Sequence, residues 1–201
     1  MKVGVLALQG DFVEHIQILR SLSVEAVEVR KPEHLRDLDA LVIPGGESTT
    51  FAKLAAAYGL MEPIRDMCTS GKPVWGTCAG LIFLAKDAGR PQPLLGVLDV
   101  NVKRNAFGRQ VDSFEVDLDV PELAQVEKNG NKPRPFHGIF IRAPLISSVG
   151  KGVHVLAKLE DGTIVAARQG NLLATSFHPE LTEDRRFHEY FVKMGDGSRR
   201  S

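Results

Sequence analysis

The chain opens with a short, unbroken apolar run, Val3 to Leu8, and this run constrains the fold more than any other feature. A continuous apolar stretch of this length is typical of a strand buried on both faces of a parallel sheet. Phe12, Ile16 and Leu19 then recur at helical spacing. Further apolar runs at 26–29, 39–43 and 73–76 alternate with helical patterns at 48–58, at 62–70 and from 79 onward. The alternation predicts an α/β fold with a doubly wound, mostly parallel sheet and helices on both faces.

The C-terminal half has a different pattern. Strand-like segments follow one another at 111–116, 153–159, 164–168 and 172–177, and Asp161-Gly162 has the composition of a hairpin turn. We therefore expect an antiparallel or mixed extension of the sheet, closed by one helix over 182–194. A polar loop is predicted over 128–135. No internal repeat or long linker divides the sequence, so we predict a single domain over 1–194 and a flexible C-terminal tail over 195–201.

Composition excludes several classes of function. Lys plus Arg and Asp plus Glu both number 25 in the 201 residues, so the formal net charge is zero and no overall field attracts nucleic acid or an anionic membrane. The apolar stretch from Ala79 to Ala85 is far shorter than a membrane span. Because Asp11 and Glu14 follow the first apolar run directly, we interpret that run as a strand rather than a signal peptide and expect a cytoplasmic protein.

The two cysteines, Cys68 and Cys78, are too few for a disulfide framework, and they do not form a C-x-x-C pair. The histidines are not spaced as metal ligands, so we expect neither a metal nor a cofactor. At least one thiol is therefore free. The remaining question is whether that thiol is inert or reactive.

The segment Gly76-Thr77-Cys78-Ala79-Gly80 follows a predicted strand and begins a predicted helix. This is the strand–turn–helix context of a nucleophile elbow, with cysteine where α/β-hydrolases have serine. Small flanking residues suit the tight turn, and the N–H groups at the start of a helix favour the thiolate. The alternative is that Cys78 is a small buried residue, as most free cysteines are.

A nucleophilic cysteine needs a base, and His178 in Phe177-His178-Pro179-Glu180 is the candidate. The residue before a proline favours extended geometry, so His178 and Glu180, two residues apart, are predicted to share one face. A carboxylate there can orient the imidazole toward a thiol. Taken alone, the segment is more typical of a strand-end histidine followed by a glutamate that is a solvated charge or part of a helix cap.

Two further segments are candidates for binding. The glycine-rich turn Pro44 to Thr50 follows a predicted parallel strand, where doubly wound folds bind ligands. Its N–H groups could stabilise an oxyanion, or the turn could be purely structural with Ser48 as a helix N-cap. The basic stretch from Asn101 to Gln110 is a predicted loop that could offer an arginine to a carboxylate.

Together, the segments 45–48, 76–80 and 176–180 resemble those of class I (triad) glutamine amidotransferases. The similarity is closer to one branch, the glutaminase subunit of pyridoxal 5'-phosphate synthase. The segments that carry it are 8–10, 44–50, 104–115, 140–144 and 176–184. They span nearly the whole chain, and the block Arg-Asn-Ala-Phe-Gly-Arg-Gln at 104–110 is specific to that branch.

The resemblance implies a mechanism. Cys78 would attack the side-chain amide of L-glutamine, His178 would relay protons and Glu180 would hold the imidazole. Backbone N–H groups of Gly46 and Ala79 would stabilise the oxyanion. The implied substrate-binding residues are Gly46, Glu47, Ser48, Arg104, Ile141 and Arg142. The resemblance leaves open whether Glu47 contacts the substrate or only shapes the loop.

The resemblance also implies a partner. In this family ammonia passes to a (β/α)8-barrel synthase subunit, which makes pyridoxal 5'-phosphate from ribose 5-phosphate and glyceraldehyde 3-phosphate. The glutaminase is poorly active until that partner docks, so we expect an incomplete oxyanion hole in the isolated chain and a docking face near Gln9 and Gly10. Two alternatives are a cysteine hydrolase of this fold serving another synthase, and a catalytically silent scaffold. The segment 104–115 disfavours the first, and the intact set Cys78, His178 and Glu180 disfavours the second.

Overall fold

A computed structural model of the chain describes residues 1–104, 113–127 and 134–198. The helices are α1 (Phe12–Ser21), α2 (Ser48–Ala57), α3 (Met61–Thr69), α4 (Ala79–Leu84) and α5 (Arg186–Ser198). The strands of the first half are β1 (Lys2–Leu6), β2 (Glu25–Val29), β3 (Ala40–Ile43), β4 (Val74–Thr77) and β5 (Ala85–Asp87). Those of the second half are β6 (Leu98–Lys103), β7 (Ser113–Leu118), β8 (Phe136–Ile141), β9 (Leu145–Val149), β10 (His154–Lys158), β11 (Ile164–Gln169) and β12 (Leu172–Thr175).

The main sheet has the strand order β2-β1-β3-β4-β12-β11-β9-β6-β5, with β10 paired to β11. The pairs from β2 through β12 are all parallel. The pairing changes from parallel to antiparallel at β11, which runs antiparallel to β12, β9 and β10. A separate antiparallel hairpin joins β7 and β8. The predicted doubly wound, mostly parallel sheet with an antiparallel or mixed C-terminal extension is confirmed.

Both faces of the parallel half are buried, as the uninterrupted apolar runs predict. On one face, Leu6 and Leu41 pack with apolar residues of α2, α3 and α4. On the other face, Val5 and Val42 pack with α1 and α5. The second face is rich in aromatic rings, and Trp75 of β4 stacks at a centroid distance of 6.2 Å on Phe187 of α5.

This topology determines where a site can form. Because β1, β3, β4 and β12 are parallel, their carboxyl ends lie at one edge of the sheet. The segments that follow them therefore converge there, which is where doubly wound folds bind ligands. In the register of the central pair, Thr77 lies beside Thr175, so the chain leaves β4 and β12 at the same level.

The end of the chain differs from the prediction. The final helix begins at Arg186 rather than near Thr182, and it continues to Ser198 rather than ending at Met194. Residues 195–198, which the sequence analysis assigned to a flexible tail, are therefore helical, and a Cβ on Gly195 would lie 2.2 Å from Cε of Met1. Residues 199–201 and most of the predicted loop 128–135 lie outside the described residues.

Four strands were not predicted: β5, β6, β8 and β9. The expected loop from Asn101 instead begins inside β6, where Val100 and Val102 are buried. None of the helices in the described ranges has the length and apolar character that a membrane crossing requires.

Candidate active site

Cys78 occupies a strained turn between β4 and α4. Its backbone has φ 47° and ψ −101°, a region that non-glycine residues rarely adopt, and its N–H donates to the carbonyl of Thr175 at 2.8 Å. The flanking glycines permit the turn. A Cβ on Gly80 would lie 2.0 Å from the carbonyl oxygen of Ile43, and one on Gly76 would lie 2.5 Å from the Gly80 backbone. The geometry is that of a nucleophile elbow.

His178 reaches the same edge of the sheet from β12. Its N–H donates to the carbonyl of Ile139 at 2.8 Å, which fixes the backbone, and only 4% of the residue is exposed. A Cβ on Gly45 would lie 2.5 Å from Cε1 of the imidazole. The glycine-rich turn after β3 is therefore shaped around His178 as well as around the cavity.

Glu180 lies behind the imidazole, buried in a short 3-10 turn, Pro179–Leu181. Its Oε1 lies 2.7 Å from Nδ1 of His178. The predicted reason for this pairing, an extended strand end with both residues on one face, is wrong, since β12 ends at Thr175 and Glu180 reaches the ring from a helical turn. With Nδ1 engaged by Glu180, Nε2 of His178 is left for the thiol of Cys78, whose interaction with the ring raises the pKa of His178.

The electrostatics favour an ionised histidine. Burial alone would lower the pKa of His178, but its hydrogen bonds to Cys78 and Glu180 outweigh burial and raise that pKa well above the ordinary value. Burial raises the pKa of Glu180, and the hydrogen bond from His178 opposes that rise. The other cysteine is different, because burial raises the pKa of the Cys68 thiol to about 12 and keeps it protonated. Cys78, His178 and Glu180 can therefore act as nucleophile, acid–base and orienting carboxylate.

A second carboxylate lies beside the imidazole. Asp11 Oδ2 is 3.5 Å from His178 Nδ1, and ligand atoms of Asp11, His178 and Glu180 all lie within 4.8 Å of one another. A bound cation would compete with Glu180 for Nδ1. The arrangement therefore fits an acid–base pair better than a metal centre.

Cys78 and His178 border a cavity of about 550 Å³. Among the sequence-predicted residues, the cavity is lined by Gly46, Glu47, Ser48, Cys78, Ala79, Arg104, Ile141, Arg142 and His178. Glu180 does not line it. Gln9, Gly10 and Asp11 after β1 also border the cavity, and so do Ile82, Pro144 and Leu181, which the sequence did not single out.

Glu47 has a structural role that the sequence left open. Its carboxylate accepts hydrogen bonds from the N–H groups of Thr49 at 3.3 Å and Thr50 at 2.7 Å, so Glu47, rather than Ser48, is the N-cap of α2. Its own N–H donates to Gln9 Oε1 at 2.8 Å. Hydrogen bonds from the Thr50 N–H contribute most to lowering the pKa of Glu47 to about 2.

Ser48 and Arg104 supply polar groups to the cavity. The Ser48 hydroxyl is buried and has no hydrogen-bond partner among the described residues. Arg104 donates to Thr49 Oγ1 at 3.2 Å and to Gln92 Oε1 at 2.9 Å, and its Nη2 lies 3.5 Å from Glu47 Oε1. Burial, together with the positive charge of Arg90, lowers the pKa of Arg104.

Arg142 at the end of β8 has a left-handed backbone with φ 44°. Its neighbour Ile141 is 37% exposed, an unusual exposure for a large apolar side chain bordering a cavity. Residues 105–112, which complete the block that begins at Arg104, lie outside the described residues.

Comparison with known proteins agrees with this geometry. The sequence profile of the SNO glutamine amidotransferase family matches residues 5–196. A pyridoxal 5'-phosphate synthase subunit PdxT from Herpetosiphon aurantiacus is 56% identical over 198 residues, covering 96% of this chain and 100% of that protein. The subunit of the same name from Dehalococcoides mccartyi is 57% identical over 197 residues, covering 96% and 97% of the two chains.

A crystal structure of a glutamine amidotransferase superposes with a TM-score of 0.88 at 54% identity, and the match covers 96% of this chain and 98% of that one. PurLQS from Thermotoga maritima, at 16% identity and a TM-score of 0.72, shares the fold over 96% of this chain and 97% of the matched one. Both the sequence profile and the closely similar relatives extend over nearly all of the chain. The chain therefore belongs to the SNO glutamine amidotransferase family.

Proposed function

We propose that the chain hydrolyses L-glutamine to glutamate and ammonia, and that the ammonia goes to a partner synthase subunit that makes pyridoxal 5'-phosphate. The observation that carries the proposal is the placement of Cys78 on a strained elbow facing the His178–Glu180 pair at the wall of a 550 Å³ cavity. Membership of the glutamine amidotransferase family supports the reaction class, and the PdxT relatives support the final product.

The substrate would enter with its side-chain amide toward Cys78. We assign Gly46, Glu47, Ser48, Arg104, Ile141 and Arg142 to its binding, since all six line the cavity. Arg104 suits the α-carboxylate of glutamine, because a guanidinium pairs well with a planar anion. The unpartnered buried hydroxyl of Ser48 supports a polar ligand, because such a group is costly to leave unpaired.

The chemistry takes two steps. The Cys78 thiolate attacks the amide carbon, and N–H groups of Gly46 and Ala79 stabilise the oxyanion, each donor contributing about 3 kcal/mol. The His178 imidazolium gives its proton to the departing nitrogen, which leaves as ammonia and yields a thioester. His178 then takes a proton from water as the water attacks the thioester, releasing glutamate and restoring the thiol. Glu180 holds the imidazole throughout.

We assign the partner as a (β/α)8-barrel synthase subunit that combines the ammonia with ribose 5-phosphate and glyceraldehyde 3-phosphate. Gln9 and Gly10 border the mouth of the cavity and are the proposed contact region. Since the nucleophile must stay reduced and both cysteines are unpaired, we also assign the protein to the reducing cytoplasm.

The test is glutamate release from glutamine, with and without the cognate synthase subunit, for the chain and its Cys78→Ala variant. We expect partner-stimulated release that the variant lacks. Adding both sugar phosphates should give pyridoxal 5'-phosphate, and an ammonium salt should restore its formation with Cys78→Ala. Glutamate release that survives Cys78→Ala would contradict the triad, whereas release without coupled product would favour another synthase.

A glutamine-analogue electrophile gives an independent check. It should modify Cys78 and spare the buried, protonated Cys68, as read by peptide mass spectrometry. Equal labelling of both thiols, or none, would favour a silent scaffold.

A further inference from the structure

A pair of buried histidines lies behind the proposed triad. His15 of α1 and His188 of α5 are both fully buried, and His15 Nδ1 lies 2.9 Å from His188 Nε2. On its other side, His15 Nε2 lies 3.3 Å from Glu180 Oε2 and 3.4 Å from Thr77 Oγ1. The two rings therefore continue the line of polar contacts from His178 through Glu180 toward the aromatic core.

Both of these histidines are neutral. Burial is the main cause that lowers the pKa of His15 well below its ordinary value, and the nearby His178 imidazolium adds to the effect. Burial lowers the pKa of His188 to about 3. A neutral imidazole has one N–H donor and one acceptor nitrogen, so the contacts must fix which nitrogen carries the proton.

The last residue in this series of contacts, His188, decides the direction in which the hydrogen bonds run. Nδ1 of His188 is buried and has no partner among the described residues. A buried N–H without an acceptor is rarer than an unpaired acceptor, so His188 Nδ1 is the unprotonated nitrogen. His188 Nε2–H then donates to His15 Nδ1, and His15 Nε2–H is left to donate to Thr77 and Glu180.

The direction of these hydrogen bonds determines whether an N–H group faces Glu180. Its Oε1 accepts from His178, but Oε2 is buried and makes no hydrogen bond of ordinary geometry within the described residues; His15 Nε2 faces it at 3.3 Å. The side chain of Glu180 is fully buried, and a buried carboxylate stays ionised only if donors compensate its lost hydration. Asp11, the other charge near this group, opposes its ionisation.

We propose that His15 is a positioning residue of the glutamine-hydrolysing site: as a neutral Nε2–H donor to Glu180 Oε2, it keeps that carboxylate ionised and aimed at His178. The inference rests on the proposed function for its effect on turnover, but the donor geometry can be tested without glutamine. His188 fixes the tautomer of His15 from behind. Neither histidine lines the cavity or touches the substrate.

Three variants separate positioning from packing. His15→Phe keeps a ring against Trp75, which lies 5.6 Å from His15 in an edge contact, but removes the donor. His15→Gln restores a neutral N–H donor. Phe187→Leu disturbs the same buried cluster, where this ring stacks on Trp75, and leaves His15, His188 and Glu180 unchanged.

The first readout is the pH dependence of Cys78 alkylation by iodoacetamide in the whole chain, resolved from Cys68 by peptide mass spectrometry. Loss of the donor raises the pKa of Glu180, so the imidazolium of His178 loses its charged partner and the thiolate is less favoured. We expect alkylation to move to higher pH in His15→Phe and to return toward the unmodified profile in His15→Gln. A profile that His15→Phe leaves unchanged, or that Phe187→Leu shifts equally, would overturn the proposal.

The second readout is partner-stimulated glutamine hydrolysis. We expect kcat to fall roughly tenfold in His15→Phe with little change in KM. The acid limb of the pH profile of kcat should move to higher pH. If no variant or unmodified complex hydrolyses glutamine, the proposed function fails, but the alkylation result still decides the role of His15.

A third readout does not depend on His15→Phe. The ¹⁵N spectrum of the histidine-labelled chain should show His15 as the neutral Nε2–H tautomer across pH 5–8, assigned by its absence from His15→Gln. A proton on Nδ1 of His15, or a charged ring in that range, would overturn the proposal even if His15→Phe failed to fold.

Discussion

Asp11 Oδ2 lies 3.5 Å from Nδ1 of His178, the same nitrogen that Glu180 Oε1 holds at 2.7 Å. Two carboxylates therefore face one imidazole nitrogen. Glu180 is 5% exposed, whereas the Asp11 side chain is 40% exposed and keeps much of its hydration. Glu180, which is closer to the ring and more deeply buried, therefore interacts more strongly with it than Asp11 does.

The first prediction compares these two carboxylates. Glu180→Gln keeps the size of the side chain but removes the charge that stabilises the imidazolium, so kcat should fall roughly 10²- to 10⁴-fold. Asp11→Asn should change kcat by less than about threefold, because a solvated charge at the longer distance is screened. The measurement is partner-stimulated glutamate release at saturating glutamine. An equal loss in both variants would contradict the assignment of Glu180 as the orienting carboxylate.

The second prediction concerns the strain at Cys78. Its backbone, with φ 47° and ψ −101°, costs a non-glycine residue about 1–3 kcal/mol, and glycine is largely free of that cost. Cys78→Ala and Cys78→Gly should both lose hydrolysis by about 10³-fold or more. Cys78→Gly should nevertheless have a free energy of unfolding about 1 kcal/mol higher than Cys78→Ala. Urea denaturation measures the difference, and a less stable glycine variant would show that the elbow is unstrained.

The third prediction follows the pH dependence of the α2 cap. The pKa of Glu47 falls from 4.5 to about 2 in the folded chain. A carboxylate whose pKa is lower in the folded state stabilises that state fully above the unfolded value, and this stabilisation is lost as the pH falls through the folded value. Glu47→Gln should therefore reduce stability at pH 7 by no more than about 1 kcal/mol, since the side chain is half exposed.

The difference between the two chains should shrink between pH 4.5 and 2, because Glu47 is then protonated in the unmodified chain. Urea denaturation of both chains across this range measures it, and Glu160→Gln at an exposed turn position between β10 and β11 serves as the control. A difference that grows on acidification would contradict the cap.

The fourth prediction addresses Arg104. Its Nη1 donates to Thr49 and Gln92 while its Nη2 faces Glu47 at 3.5 Å, and a single ammonium nitrogen cannot reproduce this arrangement at the cavity wall. Arg104→Lys should raise KM for glutamine about tenfold and change kcat much less, if Arg104 binds the α-carboxylate. Lys103→Arg on the adjacent exposed position is the matched control. A fall in kcat at constant KM would assign Arg104 to the chemistry instead.

The parallel half of the fold was predictable because its strands are buried on both faces. Runs such as Leu41 to Ile43 are apolar on both faces, which is typical of a buried parallel strand. The turns after them mark the carboxyl ends of the strands. The strand β6 was missed for the opposite reason. It alternates buried Val100 and Val102 with outward Asn101 and Lys103, so its outward face is typical of a basic loop.

The site was only partly predictable. The elbow at Cys78 has a local signature in its flanking glycines, and the cavity-lining residues came from a family resemblance. Glu180 was chosen for a geometry that it does not have. His15 and His188 carry no sequence signal at all, since they are 173 positions apart and only the packing of α1 beside α5 brings them together.

The position of β12 couples catalysis to completion of the chain. This strand comes last in the sequence but lies inside the sheet, between β4 and β11, and it delivers His178 next to a cysteine synthesised about a hundred residues earlier. A nascent chain that has emerged only through β11 carries the nucleophile without its base. Glutamine cannot be consumed at that stage, so ammonia production begins only once this central strand has been made and inserted into the sheet.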